Sequence, residues 1–329
     1  MTAQGLAIGR RAALAAATAA WPGTLPAQPA MPVIGFLNGA SAALTDSYLR
    51  AFRTGLGELG FVEGRNLAIA YRWADGRYER LPGLARELVA LRVAVIAATS
   101  TPAGLPAKAA TAAIPIVFVT GSDPVQQGLV ASLNRPEGNV TGVTTLAVEL
   151  GRKRMELIRS VLPAARLMGI LVNPTGPNLA SVTQDLTTEA AALGLRTLTV
   201  EASTEAGLEA AFAHLAAAGA EVLVIGTDTF FNSESALLAR LALAHRLPAM
   251  YQYREFVAAG GLLSYAGSIT EAYRMAGRYT ALILRGETPA GLPVQRASRL
   301  ELFINLRTAQ ALGLTIPPGL LAYADEVFE

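Results

Sequence analysis

The chain repeats itself, and no other feature restricts its fold as strongly. GFLN at 35–38 returns as GILVN at 169–173, VAVIAATST at 93–101 as VLVIGTDT at 222–229, and IPIVFV at 114–119 as LPAMYQ at 247–252. Asn38 thereby matches Asn173, Gly60 matches Gly194, Thr99 matches Thr227 and Pro115 matches Pro248. The offset is about 130 residues, far longer than a solenoid period. Within each copy, short apolar runs of strand length alternate with longer segments of helical periodicity. Val33–Leu37, Asn66–Trp73, Val93–Ala97 and Ile116–Val119 read as strands in the first copy. Leu167–Val172, Arg196–Glu201, Glu221–Ile225 and Ala249–Tyr251 read as strands in the second. Strands that alternate with helices make a parallel sheet covered on both faces. The expected fold class is therefore α/β, with two Rossmann-like lobes and a ligand cleft between them.

The remaining elements complete that plan. Thr204 reads as the N-cap of a helix to Ala218. Val125, Leu129, Val130 and Leu133 read as one face of a short helix after the loop 120–124. After the second copy come a strand at 261–265, a helix at 270–284 and a strand at 300–305. Three passes between lobes are expected, near Thr144, Gly267 and Pro293. One lobe then holds 28–144 plus about 267–293, and the other 145–266 plus about 294–329.

Residues 1–27 read as an export signal. Arg10 and Arg11 precede the apolar run Ala12–Ala20, and Leu25-Pro26-Ala27 offers a small residue at the cleavage point. Paired arginines also permit the twin-arginine route beside the general secretory one. These two are the only charges of the segment, so the 27 basic residues meet 25 acidic ones mainly because of the leader. The rest of the chain is balanced and has no bulk attraction to nucleic acid or anionic membrane. There is no cysteine, hence no disulfide, thiol nucleophile or lipid-anchoring cysteine. The expectation is a periplasmic monomer without membrane insertion.

Ligands of open α/β sheets sit past the carboxyl ends of the strands. Those ends are Asn38–Ser41, Thr99–Thr101 and Thr120–Asp123 in one lobe, and 173–178, Thr227–Asn232 and Tyr251–Glu255 in the other. Helix N-termini beside several of them suit a carboxylate.

The local phrases are also specific. MPVIGFLNGAS (31–41), FVEGRNLAIAYRWADGRYERLP (61–82), IPIVFVTGSDPVQQGLVASLNRPEGNVTGVT (114–144), YREFVAAGGLLSYAGS (253–268) and LELFINLRTAQALGLTIPPGLLAYADEVFE (300–329) resemble the ABC-transporter substrate-binding family related to tryptophan/tyrosine-type importers, with the type I periplasmic binding fold. The resemblance implies a receptor that closes on a small solute, an amino acid or related carboxylate, and delivers it to an ABC permease in the inner membrane. By that resemblance Thr99, Ser100 and Thr101 are candidates for the ligand carboxylate and Asp228 for its ammonium. Asn38, Thr120, Asp123 and Thr227 line the strand ends, and Asn173 and Asn178 add amide contacts. Phe230, Tyr251 and Tyr265 offer apolar or stacking walls. Tyr265-Ala266-Gly267-Ser268 departs from the family's more usual Tyr-Gly at that turn.

Other readings are weaker. Gly55-Leu56-Gly57-Glu58-Leu59-Gly60 fits the dinucleotide pattern, but it ends a helix instead of opening one. His214 and His245 lack partner spacing for a metal. No cofactor is expected. Asp123 and Asp228 also read as turn or capping residues, or as a carboxylate pair, and the sequence offers no catalytic set, so no enzyme is expected. A periplasmic ligand sensor for a membrane signalling partner is the alternative to transport. Tyr71-Arg72-Trp73 reads as the end of an edge strand, against a permease or against its own neighbouring helix.

Overall fold

The computed structural model describes residues 31–42, 45–145, 150–177 and 179–329. Residues 1–27, expected to be an export signal, and Asn178 lie outside them. The chain runs β1 (Val33–Asn38), α1 (Asp46–Gly57), β2 (Ala68–Trp73), α2 (Leu81–Ala90), β3 (Val95–Ala98), α3 (Thr101–Ala110), β4 (Ile116–Thr120) and β5 (Val140–Thr144). It then repeats as α4 (Gly151–Val161), β6 (Leu167–Val172), α5 (Leu179–Ala192), β7 (Arg196–Glu201), α6 (Glu205–Ala217), β8 (Val222–Ile225), α7 (Thr229–Ser233), α8 (Ser235–Ala244), β9 (Ala249–Tyr251), α9 (Arg254–Ala258) and β10 (Leu263–Gly267). The tail adds α10 (Ile269–Leu284), β11 (Gln295–Arg296), β12 (Leu300–Asn305) and β13 (Glu326–Phe328).

The strands form two sheets with one winding. The first orders β11-β5-β4-β3-β1-β2, and the second β13-β12-β10-β9-β8-β6-β7. All pairings are parallel except β10 with β12. Central strands such as IVFVT in β4 and VLVI in β8 are buried throughout, as a sheet covered on both faces requires. β2 is an edge strand and half-buried along its length. Its Arg72 pairs with Glu87 of α2 at 2.6 Å, and Trp73 packs beside Phe36, so both residues serve their own lobe.

The helix expected over Val125–Leu133 is absent. Asp123 Oδ1 accepts from Val125 N at 2.8 Å, and Gly128 takes a left-handed φ of +73°, which turns the chain before a second helical turn forms. Leu129 and Val130 are buried nonetheless, against α3.

α10 leaves the second sheet and packs on α1 in the first. Here the first glycine of the dinucleotide-like pattern, Gly55, finds its use. A Cβ on Gly55 would stand 1.9 Å from Arg274 O, and one on Gly277 2.1 Å from Phe52 O. The two helix backbones therefore touch. The connections between sheets run side by side: Ala297 N donates to Thr144 O at 2.9 Å, and Ser268 N to Arg299 O at 2.8 Å. A Cβ on Gly267 would meet Thr145 O at 3.0 Å and Ala297 O at 3.2 Å, so the Ala-Gly at this turn suits a tight three-stranded crossing. The third return comes later than Pro293, because Gln295 and Arg296 still pair with Val143 and Thr144 of the first sheet.

Candidate functional site

A cavity of about 100 Å³ lies where the strand ends of both sheets converge. From the first sheet come Asn38, Thr99, Ser100, Thr101 and Thr120, and from the second Thr227 and Asp228. These seven were legible as strand-end positions.

The first-lobe wall is built from hydroxyls held by backbone. Asn38 Nδ2 donates to Thr99 O at 2.9 Å, to Thr99 Oγ1 at 3.0 Å and to Tyr273 OH at 2.9 Å, while its Oδ1 accepts from Ala40 N at 2.8 Å. Its side chain is fully engaged and shapes the wall. Ser100 is the N-cap residue of α3, but its hydroxyl accepts from Gly39 N at 2.9 Å and not from its own helix. Thr101 Oγ1 accepts from Gly121 N at 3.0 Å and lies 3.3 Å from Thr120 Oγ1.

The second-lobe wall carries charge. Asp228 N-caps α7, and its Oδ1 accepts from Asn173 Nδ2, Phe230 N and Tyr78 OH, each at 2.8 Å. Burial raises its carboxyl above the ordinary range, and these donors pull it back only in part. Tyr78 belongs to the other lobe, in the turn after β2, and its hydroxyl also accepts from Phe230 N at 2.8 Å. One phenol therefore bolts the first lobe to the second. Burial beside Asp228 pushes that phenol well above its ordinary pKa. Behind Thr227 lies the fully buried Arg154 of α4, both Nη atoms 3.5 Å from Thr227 Oγ1; burial lowers its guanidinium to about 10.

Five expected residues are not brought to this cavity. Asp123 caps its own turn. Asn173 reaches Asp228 from behind. Phe230 packs with Phe231 in the core beneath β8, Tyr251 is stacked on Phe256 with no exposure, and Tyr265 faces the core beneath β10. Alternation along a strand sends Tyr251 and Tyr265 into the sheet's own core even at its carboxyl end, and Phe230 is turned inward on α7. Conversely, Thr45, Tyr48, Thr145, Asn232, Tyr253, Glu255 and Tyr273 line the cavity. Tyr48 and Tyr273 sit on helical faces that otherwise read as core, so their periodicity concealed them.

A duplicated, doubly wound α/β chain with a polar cavity between paired strand ends has the architecture of a type I periplasmic binding protein. Residues 32–328 match the family described as ABC transporter substrate binding protein, and the chain belongs to it. A tyrosine-binding protein of Clostridioides difficile (strain R20291) is 26% identical over 270 residues, covering 82% of this chain and 77% of the relative. A conserved domain protein from Vibrio cholerae has a solved structure that superposes with a TM-score of 0.84 at 28% identity, over 90% of this chain and 99% of that one. The L-Trp complex of an ABC domain from Streptococcus pneumonia gives 0.82 at 24% identity over the same shares. Among the described residues no helix is long and apolar enough to cross a membrane.

Proposed function

We propose that this protein is the extracytoplasmic receptor of an ABC importer, closing on an amino acid and presenting it to the permease. One observation carries the reading: the cavity opposes a hydroxyl wall on the first lobe to a carboxylate-bearing wall on the second. Thr99, Ser100, Thr101 and the N-terminus of α3 suit a carboxylate, whereas the acidic wall suits an ammonium. Tyr48, Tyr253, Tyr273 and Ile269 supply apolar surface for a side chain. The tyrosine-binding relative and the L-Trp complex favour an aromatic one. At about 100 Å³ the cavity is smaller than the roughly 150 Å³ of a buried site that holds benzene. An aromatic ligand therefore holds the lobes slightly further apart than they stand here.

The side-by-side connections between the sheets act as the hinge, in a division close to 31–145 plus 268–297 against the remainder. Export by residues 1–27 places the receptor in the periplasm. A thermal-shift panel of amino acids against carboxylates lacking the amine tests the reading. A ligand at 100 times its dissociation constant adds about 2.7 kcal/mol to the folded state. Shifts confined to amino acids are expected. Shifts with amine-free carboxylates alone contradict the amino-acid assignment.

A further inference from the structure

Two acids line the second-lobe wall, and the structure uses them differently. Asp228 Oδ1 already receives three donors, one of them from the opposite lobe. Glu255, in the first turn of α9, is placed otherwise. Its Oε2 has less than 1 Å² exposed and meets no hydrogen-bond donor among the described residues. No ion pair reaches it among them either: the adjacent Arg254 instead grips Glu326, with Nε and Nη2 each at 2.6 Å from a carboxylate oxygen. Across the cavity stands Tyr48 of α1, whose phenol is pushed well above its ordinary pKa by burial and, less, by the carboxylate of Glu255. A second acceptor on the same wall, Asn232 Oδ1, is likewise buried and without a partner among the described residues.

A carboxylate oxygen and an amide oxygen closed off from water without donors are strongly unfavourable. A multiply donating cation relieves both at once. We infer that Glu255, assisted by Asn232, is the residue that receives the ligand's ammonium, and that Asp228, assigned to this role from sequence, instead anchors the closed lobes through Tyr78. The inference rests on the amino-acid reading above and names the specificity-determining residue within it. It also ties closure to ligand: bringing Tyr48 and the cavity walls over Glu255 is favourable when a cation accompanies it, which is the differential affinity that shifts an open–closed equilibrium.

The test is calorimetric titration of the exported chain and of Glu255→Gln and Asp228→Asn with L-tyrosine and L-tryptophan. Each is compared with its des-amino analogue, 3-(4-hydroxyphenyl)propionate or indole-3-propionate. Glu255→Gln keeps the side-chain shape, and its binding of the analogue reports an intact fold. The expected result is a loss of about 10- to 100-fold for the amino acids with the analogues unchanged or tighter, the scale of a hydrogen bond to a charged group. Asp228→Asn is expected to alter amino acid and analogue by the same factor. Equal losses for both ligand types in Glu255→Gln, or none, overturn the inference while leaving the amino-acid reading intact. A selective loss in Asp228→Asn does the same. Binding of the analogues but not of the amino acids by the unmodified chain, or of neither, overturns both.

Discussion

Asn38 ends the first strand of one lobe and Asn173 directly follows that of the other, and the two lobes use them alike up to a point. Each reaches sideways to the loop after the lobe's third strand. In the first lobe the amide meets the carbonyl and hydroxyl of Thr99; in the second it meets the carboxylate of Asp228. The same scaffold thus holds a neutral, hydroxyl-rich wall on one side and an anionic one on the other. Duplication supplies the frame, and a few changed strand-end residues supply the difference in polarity on which the proposed recognition of a zwitterion rests.

The largest expected contrast lies in the helix crossings. Gly277 of α10 touches the backbone of α1, whereas a Cβ on Gly151 of α4 would meet only the Leu186 side-chain terminus, at 3.1 Å. Gly277→Ala is expected to destabilise by about 3 kcal/mol or more, and Gly151→Ala by under about 1 kcal/mol, because a side chain yields where backbone does not. Urea unfolding midpoints check this, and equal effects would break the comparison.

Next come the asparagines. Asn38→Ala is expected to cost about 1–3 kcal/mol by leaving buried polar partners unmet. Asn173→Ala falls in the same range but differs in its pH profile. The Asp228 carboxyl is raised in the folded state, so folded protein holds its proton longer than unfolded protein does. Stability from this group is therefore greatest below the ordinary carboxyl value and declines as pH rises through the folded value. Losing the Asn173 donor raises that value further and extends the decline to higher pH, whereas Asn38→Ala leaves the profile unchanged. Thermal midpoints between pH 3 and 8 distinguish them.

Tyr78→Phe sharpens the comparison at the contact between lobes. It removes the bolt to Asp228 and is expected to weaken binding about 10-fold whatever the ligand's charge, the scale of a charge-assisted hydrogen bond. The smallest effect is on the surface. Arg254→Ala breaks an exposed ion pair with Glu326 and is expected to shift stability by no more than about 1 kcal/mol, with the shift vanishing in high salt.

Much of this organisation is legible in the sequence because it is periodic. Buried apolar runs gave β4, β6 and β12 their positions, and Thr204 caps α6 by accepting from Gly207 N. The site was legible where it lies at strand ends and obscure where helices supply it. Tyr48 and Tyr273 carry a core-like spacing, and whether their hydroxyl ends meet a cavity depends on how α1 and α10 dock. Glu255 fell within a strand-end loop, but nothing local separates a buried carboxylate oxygen that meets no donor among the described residues from one that is satisfied. Asp228 drew attention by its place in an acidic turn, and its engagement by Tyr78 depends on a residue 150 positions away.

The central claim is that the two lobes close on an amino acid. The chain contains no cysteine, so Arg86→Cys on α2 and Glu209→Cys on α6, both exposed, give one dye site per lobe for single-molecule energy transfer. Saturating L-tyrosine or L-tryptophan is predicted to move the population into one closed state, and Tyr78→Phe to reduce that state's share. An identical distribution with and without a ligand that calorimetry shows to be bound would contradict the account.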